Sequence, residues 1–195
     1  MDNSIYTIKE LLEMKFKSVG HDVFISKKVS FYGVKNISIG NNVRIDDFCL
    51  LTGGNGGINI GSYVHIAAFC YISGQGGVEI KDYCNISSKN ALYSSTDDYS
   101  GEYMTNPMIL EKFTNVFRAK IVLNKHVIIG TGSTILPGSE IGEGSAIGAM
   151  SLINKSLEEW GIYAGIPARF IKSRKKNILQ LEKQFDEEIR NQNRY

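Results

Sequence analysis

An all-β fold, a parallel β-helix with three faces, is what the sequence predicts, and two observations carry the prediction. The stretches ISIGNNVRIDDFCLLTGGNGG from Ile37, INIGSYVHIAAFCYISGQGG from Ile58 and VEIKDYCNISSKNALYSS from Val78 lie over one another almost without gaps. Within them runs a period of six, with a branched aliphatic residue at position one. Ile39, Ile45, Leu51, Ile60, Ile66, Ile72, Ile80, Ile86 and Leu92 hold it, and it resumes at Leu123, Ile129, Ile135, Ile141, Ile147 and Ile153. Such a period matches neither a helix nor a lone strand. It matches short straight segments joined by sharp corners.

Position five is small or nearly so throughout: Val43, Cys49, Val64, Cys70, Cys84, Asn90, Val127, Ser133, Ser139, Ser145 and Ser151. It points inward beside the corner, where little room remains. Three segments close a triangular coil, and stacked coils pair as parallel strands about 4.8 Å apart. One coil cannot bury its own apolar face, so the array is stable only as a stack. The three cysteines all fall on position five and are expected to be small buried fillers, because no CxxC spacing or Cys/His cluster supports a disulfide or a metal.

The chain is expected to divide into a lead-in segment at 1–29, with a short helix in TIKELLEMKF, a repeat domain at 30–172, and a C-terminal helix at 173–195. Residues 94–120 carry no hexad and read as an excursion loop from one corner. A loop this long in a compact domain is usually functional. After Ser173, Ile178, Leu179, Leu181, Phe185 and Ile189 form an apolar stripe, expected to cap the last coil. The composition, 43% apolar and 22% charged over 195 residues, suffices for one core. A net charge of +2 gives no field that would draw nucleic acid or a membrane surface. No stretch approaches the roughly 18 apolar residues of a transmembrane helix, and the opening MDNSIYTIKE lacks the apolar run of a signal peptide. A cytoplasmic enzyme is therefore expected.

The run VIIGTGSTILPGSEIGEGSAIGAMSLINKSLEEWGIYAGIPARFIK, from Val127, resembles the C-terminal coils of hexapeptide-repeat acyltransferases. It is similar to the maltose and galactoside acetyltransferase branch, and more so to acetyltransferases of capsule and O-antigen clusters. The likeness covers roughly residues 30 to 175, and its most specific part is Ala164-Gly165-Ile166-Pro167-Ala168-Arg169. The resemblance implies a left-handed β-helix, acetyl-CoA as co-substrate, and a homotrimer with active sites between subunits. It implies that Thr131 and Ala149 line the pantetheine arm and that Asn154 and Lys155 stand where relatives carry a Thr-Lys pair. Arg169 and Lys172 would meet the nucleotide phosphates, a contact suited to charge-assisted hydrogen bonds. Pro167 would form a rigid turn.

Acetyl transfer to a hydroxyl needs a base, usually histidine. Where the resemblance implies a catalytic histidine, at the root of the excursion loop, this chain has Asp97. Among the three histidines, His21 precedes the repeats and His126 sits at an outward corner, which reads as surface. His65 occupies an outward face between Arg44 one coil below and Asn85 one coil above. His65, Asp97 and Asp98 are the expected catalytic groups, with Arg44 and Asn85 on the acceptor. The leading reading is an acetyl-CoA-dependent O-acetyltransferase of a sugar hydroxyl in cell-surface polysaccharide synthesis. The alternatives are an N-acetyltransferase of a nucleotide-linked amino sugar, which leans less on a base, or a serine acetyltransferase. A β-helix carbonic anhydrase would need three convergent histidines, which the spacing denies.

Overall fold

The structure, a computed structural model, describes residues 4–192. The hexads fold as a left-handed parallel β-helix of triangular section. Its first face stacks Ser18–Val19, Ile37–Ile39, Ile58–Ile60, Val78–Ile80, Ile121–Leu123 and Glu140–Ile141. The second face stacks Phe24–Ile25, Arg44–Ile45, His65–Ile66, Asn85–Ile86, Ile128–Ile129, Ala146–Ile147 and Gly161–Gly165. The third runs from Ser30–Tyr32 through Leu50–Thr52, Tyr71–Ser73, Ala91–Tyr93 and Thr134–Ile135 to Leu152–Ile153.

Position one is the core. Ile45, Ile66, Ile86 and Ile129 are at most 1% exposed, and Ile147 is 4% exposed. Position five is buried with them, and its polar members are satisfied: Asn90 donates to the Ser87 carbonyl and accepts from the Ser133 amide. Each buried cysteine donates its thiol to a carbonyl one coil up, as Cys49 does to Ala67 at 3.1 Å. Position four makes the corner. Tyr63, Phe69, Tyr83 and His126 have φ between 57° and 64°, a left-handed conformation costly for side chains of this bulk. Stacking on neighbours one coil away offsets that cost: Tyr63 on Tyr83 at 5.0 Å, Phe48 on Phe69 at 5.1 Å.

The lead-in helix α1 is Ile8–Glu13, with a capping box in which Thr7 and Glu10 exchange side-chain and backbone hydrogen bonds. It seats Leu11, fully buried, in the apolar cluster at the start of the prism. At the other end the structure departs from expectation. The end of the expected repeat domain is not a hexad: Ala168–Ser173 is a strand antiparallel to Gly161–Gly165, the helix begins at Ile178 rather than 173, and the Ile166–Pro167 bond at the turn is cis. The helix α2, Ile178–Gln192, does not cap the last coil. It folds back along the edge between the first and second faces. Phe185 meets Tyr63 edge-on at 5.2 Å, the Tyr83 hydroxyl donates to Asp186 at 3.0 Å, and Glu182 accepts from His126 Nε2 at 2.8 Å and from Lys125. His126 is therefore not a surface residue: it is 8% exposed, stacked on Tyr83 beneath the helix.

Candidate active site

The excursion loop leaves the third face after Tyr93 and returns at Ile121, so it stands on the edge between the third and first faces. Its root is a two-rung antiparallel ladder, Ser95 opposite Arg118 and Thr96 opposite Phe117. Alternation along strands puts Ser95, Asp97, Val116 and Arg118 on one side of this ladder. All four line a cavity of about 390 Å³, which Asn55 and Gln75 close from the coil edges and Asn106, Pro107, Ile109, Glu111 and Thr114 close from the loop. The Arg118 guanidinium donates only to the Val116 carbonyl, at 3.3 Å, and forms no ion pair among the described residues. Asp98 turns from this cavity to Ser100, whose hydroxyl donates to it at 2.6 Å. That bond first, with the Ser100 and Gly101 amides, holds the Asp98 carboxyl below its ordinary value.

His65 lies elsewhere, on the second face, in register with Arg44 and Asn85 as the hexads require. Its orienting carboxylate is Asp46, a residue the sequence reading missed. Asp46 accepts from His65 Nε2 at 2.8 Å and from Arg44 Nε at 2.7 Å. Partial burial pushes the Asp46 carboxyl up, but the hydrogen bonds from His65 and Arg44 outweigh it and hold the group ionised below its usual range. An ionised Asp46 fixes a proton on Nε2. Nδ1 lies 3.2 Å from the Asn85 side-chain oxygen, which is an acceptor, so with the proton on Nε2 this nitrogen keeps its lone pair. The expectation that Asp97 or Asp98 orients His65 is not met within one chain, because the loop leaves from the opposite edge of the prism. The signal for Asp46 was present: it follows Ile45 at position two, one strand below His65.

On the expected donor side, Thr131 and Ala149 occupy position three of successive coils, on the edge between the second and third faces. The Thr131 hydroxyl donates to the Ser88 carbonyl at 2.6 Å, and its own carbonyl accepts from the Met150 amide. Lys155 and Arg169 come together in a separate cavity of about 540 Å³ on the last coil, with Trp160, Tyr163 and Phe170 in its wall and Glu158 and Glu159 at its side. Neither cation forms an ion pair among the described residues, which suits an anionic nucleotide. Asn154 is exposed beside Lys155, and Lys172, also exposed, lies opposite Ile162 on the return strand. In a single chain Thr131 and Ala149 stand on a different edge from Lys155.

No family model matches the chain. Over 176 residues, 90% of this chain and 92% of the relative, it is 52% identical to the dTDP-4-amino-4,6-dideoxy-D-glucose acyltransferase of Escherichia coli. AntD, an N-acyltransferase from Bacillus cereus, superposes with a TM-score of 0.92 at 48% identity, over 96% of this chain and all of that one. It has been solved with dTDP-4-amino-4,6-dideoxyglucose and coenzyme A, and with dTDP and 3-hydroxybutyryl-CoA, some of the complexes carrying a replaced serine or a replaced aspartate. Similarity to a putative lipopolysaccharide O-acetyl transferase of E. coli K12, WbbJ, is lower, 29% over 71% of this chain and 69% of the relative.

Proposed function

This chain belongs to the hexapeptide-repeat acyltransferases and uses a CoA thioester, and on that premise we propose that it acylates the amino group of a dTDP-linked 4-amino sugar. The observation that carries the reading is the 52% identity, along nine-tenths of the chain, to an acyltransferase of that substrate. The expected main acceptor, a sugar hydroxyl, gives way to the amine alternative. The geometry supports the change. The cavity at the loop root is lined by a carboxylate, Asp97, and by no histidine, and His65 stands on a different face of the chain. An amine reaches the site as an ammonium, which a carboxylate binds by a charge-assisted hydrogen bond. Asp97 orients that nitrogen while one proton leaves to solvent. The free amine attacks the thioester carbonyl, the C–N bond forms, the C–S bond breaks, and coenzyme A departs as the thiol with the second nitrogen proton. Thr131, Ala149, Lys155, Arg169 and Lys172 hold the donor.

The replaced serine and aspartate of AntD stand ten positions apart. Here Ser87 and Asp97 have that spacing, as do Ser88 and Asp98. We favour Ser87 and Asp97, because Asp97 lines the loop cavity and Ser87 follows Ile86 on the second face beside Asn85. These two lie on different faces of one chain, which supports a homotrimer whose sites form between copies. The test is thiol release from acetyl-CoA and 3-hydroxybutyryl-CoA with dTDP-4-amino-4,6-dideoxyglucose, its 4-hydroxy counterpart and serine. Turnover with the amine alone, rising with pH as the ammonium deprotonates, is expected. Preference for the 4-hydroxy sugar would refute the reading.

A further inference from the structure

We propose that the cavity beneath the excursion loop seats the acceptor's diphosphate, with Arg118 as its anchor. The inference rests on the nucleotide amino-sugar reading and deepens it. Such an acceptor is a zwitterion, with an ammonium on one side of the sugar ring and a diphosphate on the other. The loop root presents the complementary pair. Arg118 is paired with Ser95, and Asp97, two residues further along just past the ladder, lines the same cavity, so the two are diagonal neighbours. Diagonal neighbours in an antiparallel pair are separated by roughly 7–8 Å, comparable to the span from the exocyclic 4-amino nitrogen to the first phosphorus across a hexose.

The cavity also has the right size and chemistry. Its volume of about 390 Å³ falls in the range of small-molecule sites. Asn55 and Gln75 supply amides, and Pro107 and Ile109 supply an apolar wall. Arg118 gives one of its five N–H donors to a backbone carbonyl and keeps the other four without a partner among the described residues. A guanidinium lining a cavity without a carboxylate partner is a ready bidentate donor for phosphate oxygens. Glu111 lines the same cavity and would repel a diphosphate placed near it, so the phosphates belong on the Arg118 side and the ammonium on the carboxylate side. A neutral sugar with a free hydroxyl would use neither charge.

The experiment measures dTDP and coenzyme A binding calorimetrically on the full chain, wild type against Arg118→Ala and Arg118→Lys, with steady-state kinetics on the amino sugar. Arg118→Ala is expected to weaken dTDP binding about tenfold to a hundredfold, the value of hydrogen bonds to a charged group. KM for the nucleotide sugar should rise by a similar factor with kcat largely retained, and coenzyme A binding, which also reports an intact fold, should not change. Arg118→Lys should recover part of the loss, as a point charge without the fork. Asp97→Asn should cut turnover of the amino sugar while leaving dTDP binding near wild type. Equal dTDP affinity in wild type and Arg118→Ala would overturn this assignment alone. Wild-type protein that neither binds dTDP nor acylates the amino sugar would overturn the functional reading and this inference with it.

Discussion

Ile129→Ala tests the inward register on which every other assignment depends. Ile129 is fully buried, in register with Ile86 below and Ile147 above on the second face. The substitution removes three carbons. At about 0.8 kcal/mol for each buried methylene the transfer loss is about 2.4 kcal/mol, before the cavity is counted. Both neighbours are tied into parallel ladders, so the site collapses little, and the total should fall in the upper half of the about 2–5 kcal/mol seen for such truncations. Its chain neighbour Ile128 is half-buried and points outward, so Ile128→Ala removes the same atoms from a wetter place and should cost less than half as much. Chemical denaturation at two protein concentrations reads both costs and separates assembly from folding. Equal costs for the two variants, or an Ile129→Ala cost below about 1 kcal/mol, would refute the register.

Four further outcomes are expected. Ser87→Ala and Asp97→Ala chains, each poorly active alone, should regain activity when refolded together if, as proposed, the sites form between copies of a trimer; no recovery would place both residues in one subunit's site. Arg169→Ala with Lys172→Ala should weaken coenzyme A by about tenfold or more, with unchanged dTDP affinity, measured by calorimetry. His65→Ala should lower turnover on the amino sugar by much less than the about 10²–10⁴-fold worth of a general base. For α2, burial pushes Glu182 up, but bonds from Lys125 and His126 prevail and hold its carboxyl below the ordinary 4.5. A depressed carboxylate contributes stability that is complete above about pH 4.5 and is lost as pH falls through the lower folded value. Hydrogen exchange in 178–192 should therefore accelerate on acidification below that point, and Glu182→Gln should already be loose at neutral pH.

Much of this molecule was legible because its period is not shared by any other local structure. Each Ile or Leu at position one and each small residue at position five is forced inward by the same corner, so counting by six located the core, the cysteines and the excursion loop. Register also placed Arg44, His65 and Asn85 in one column. What the period could not say is what lies on the outside. His126 reads as an exposed corner from its hexad alone; only the return of α2 buries it. The stack of Tyr63, Tyr83 and His126 at position four of successive coils was the available sign that something apolar covers that edge. Asp97 was likewise placed at the loop root, but Arg118 escaped notice because the short ladder joining them lies inside the segment without hexads. The acceptor depends on those few side chains rather than on the repeat.

The return strand Ala168–Ser173 has a further consequence for growth of the array. A stack of parallel coils ends in an open rung, and an open rung is a template on which another molecule can continue the sheet. By reversing direction against Gly161–Gly165, the chain covers the last rung of the second face with an antiparallel strand bearing Arg169 and Lys172. At the opposite end, Leu11 of α1 joins the apolar cluster ahead of the first full coils. The two ends work as terminators, as end repeats do in other solenoids. A chain cut before Ala168 would keep its coils and lose its stop, and end-to-end fibres rather than unfolded protein are the expected product.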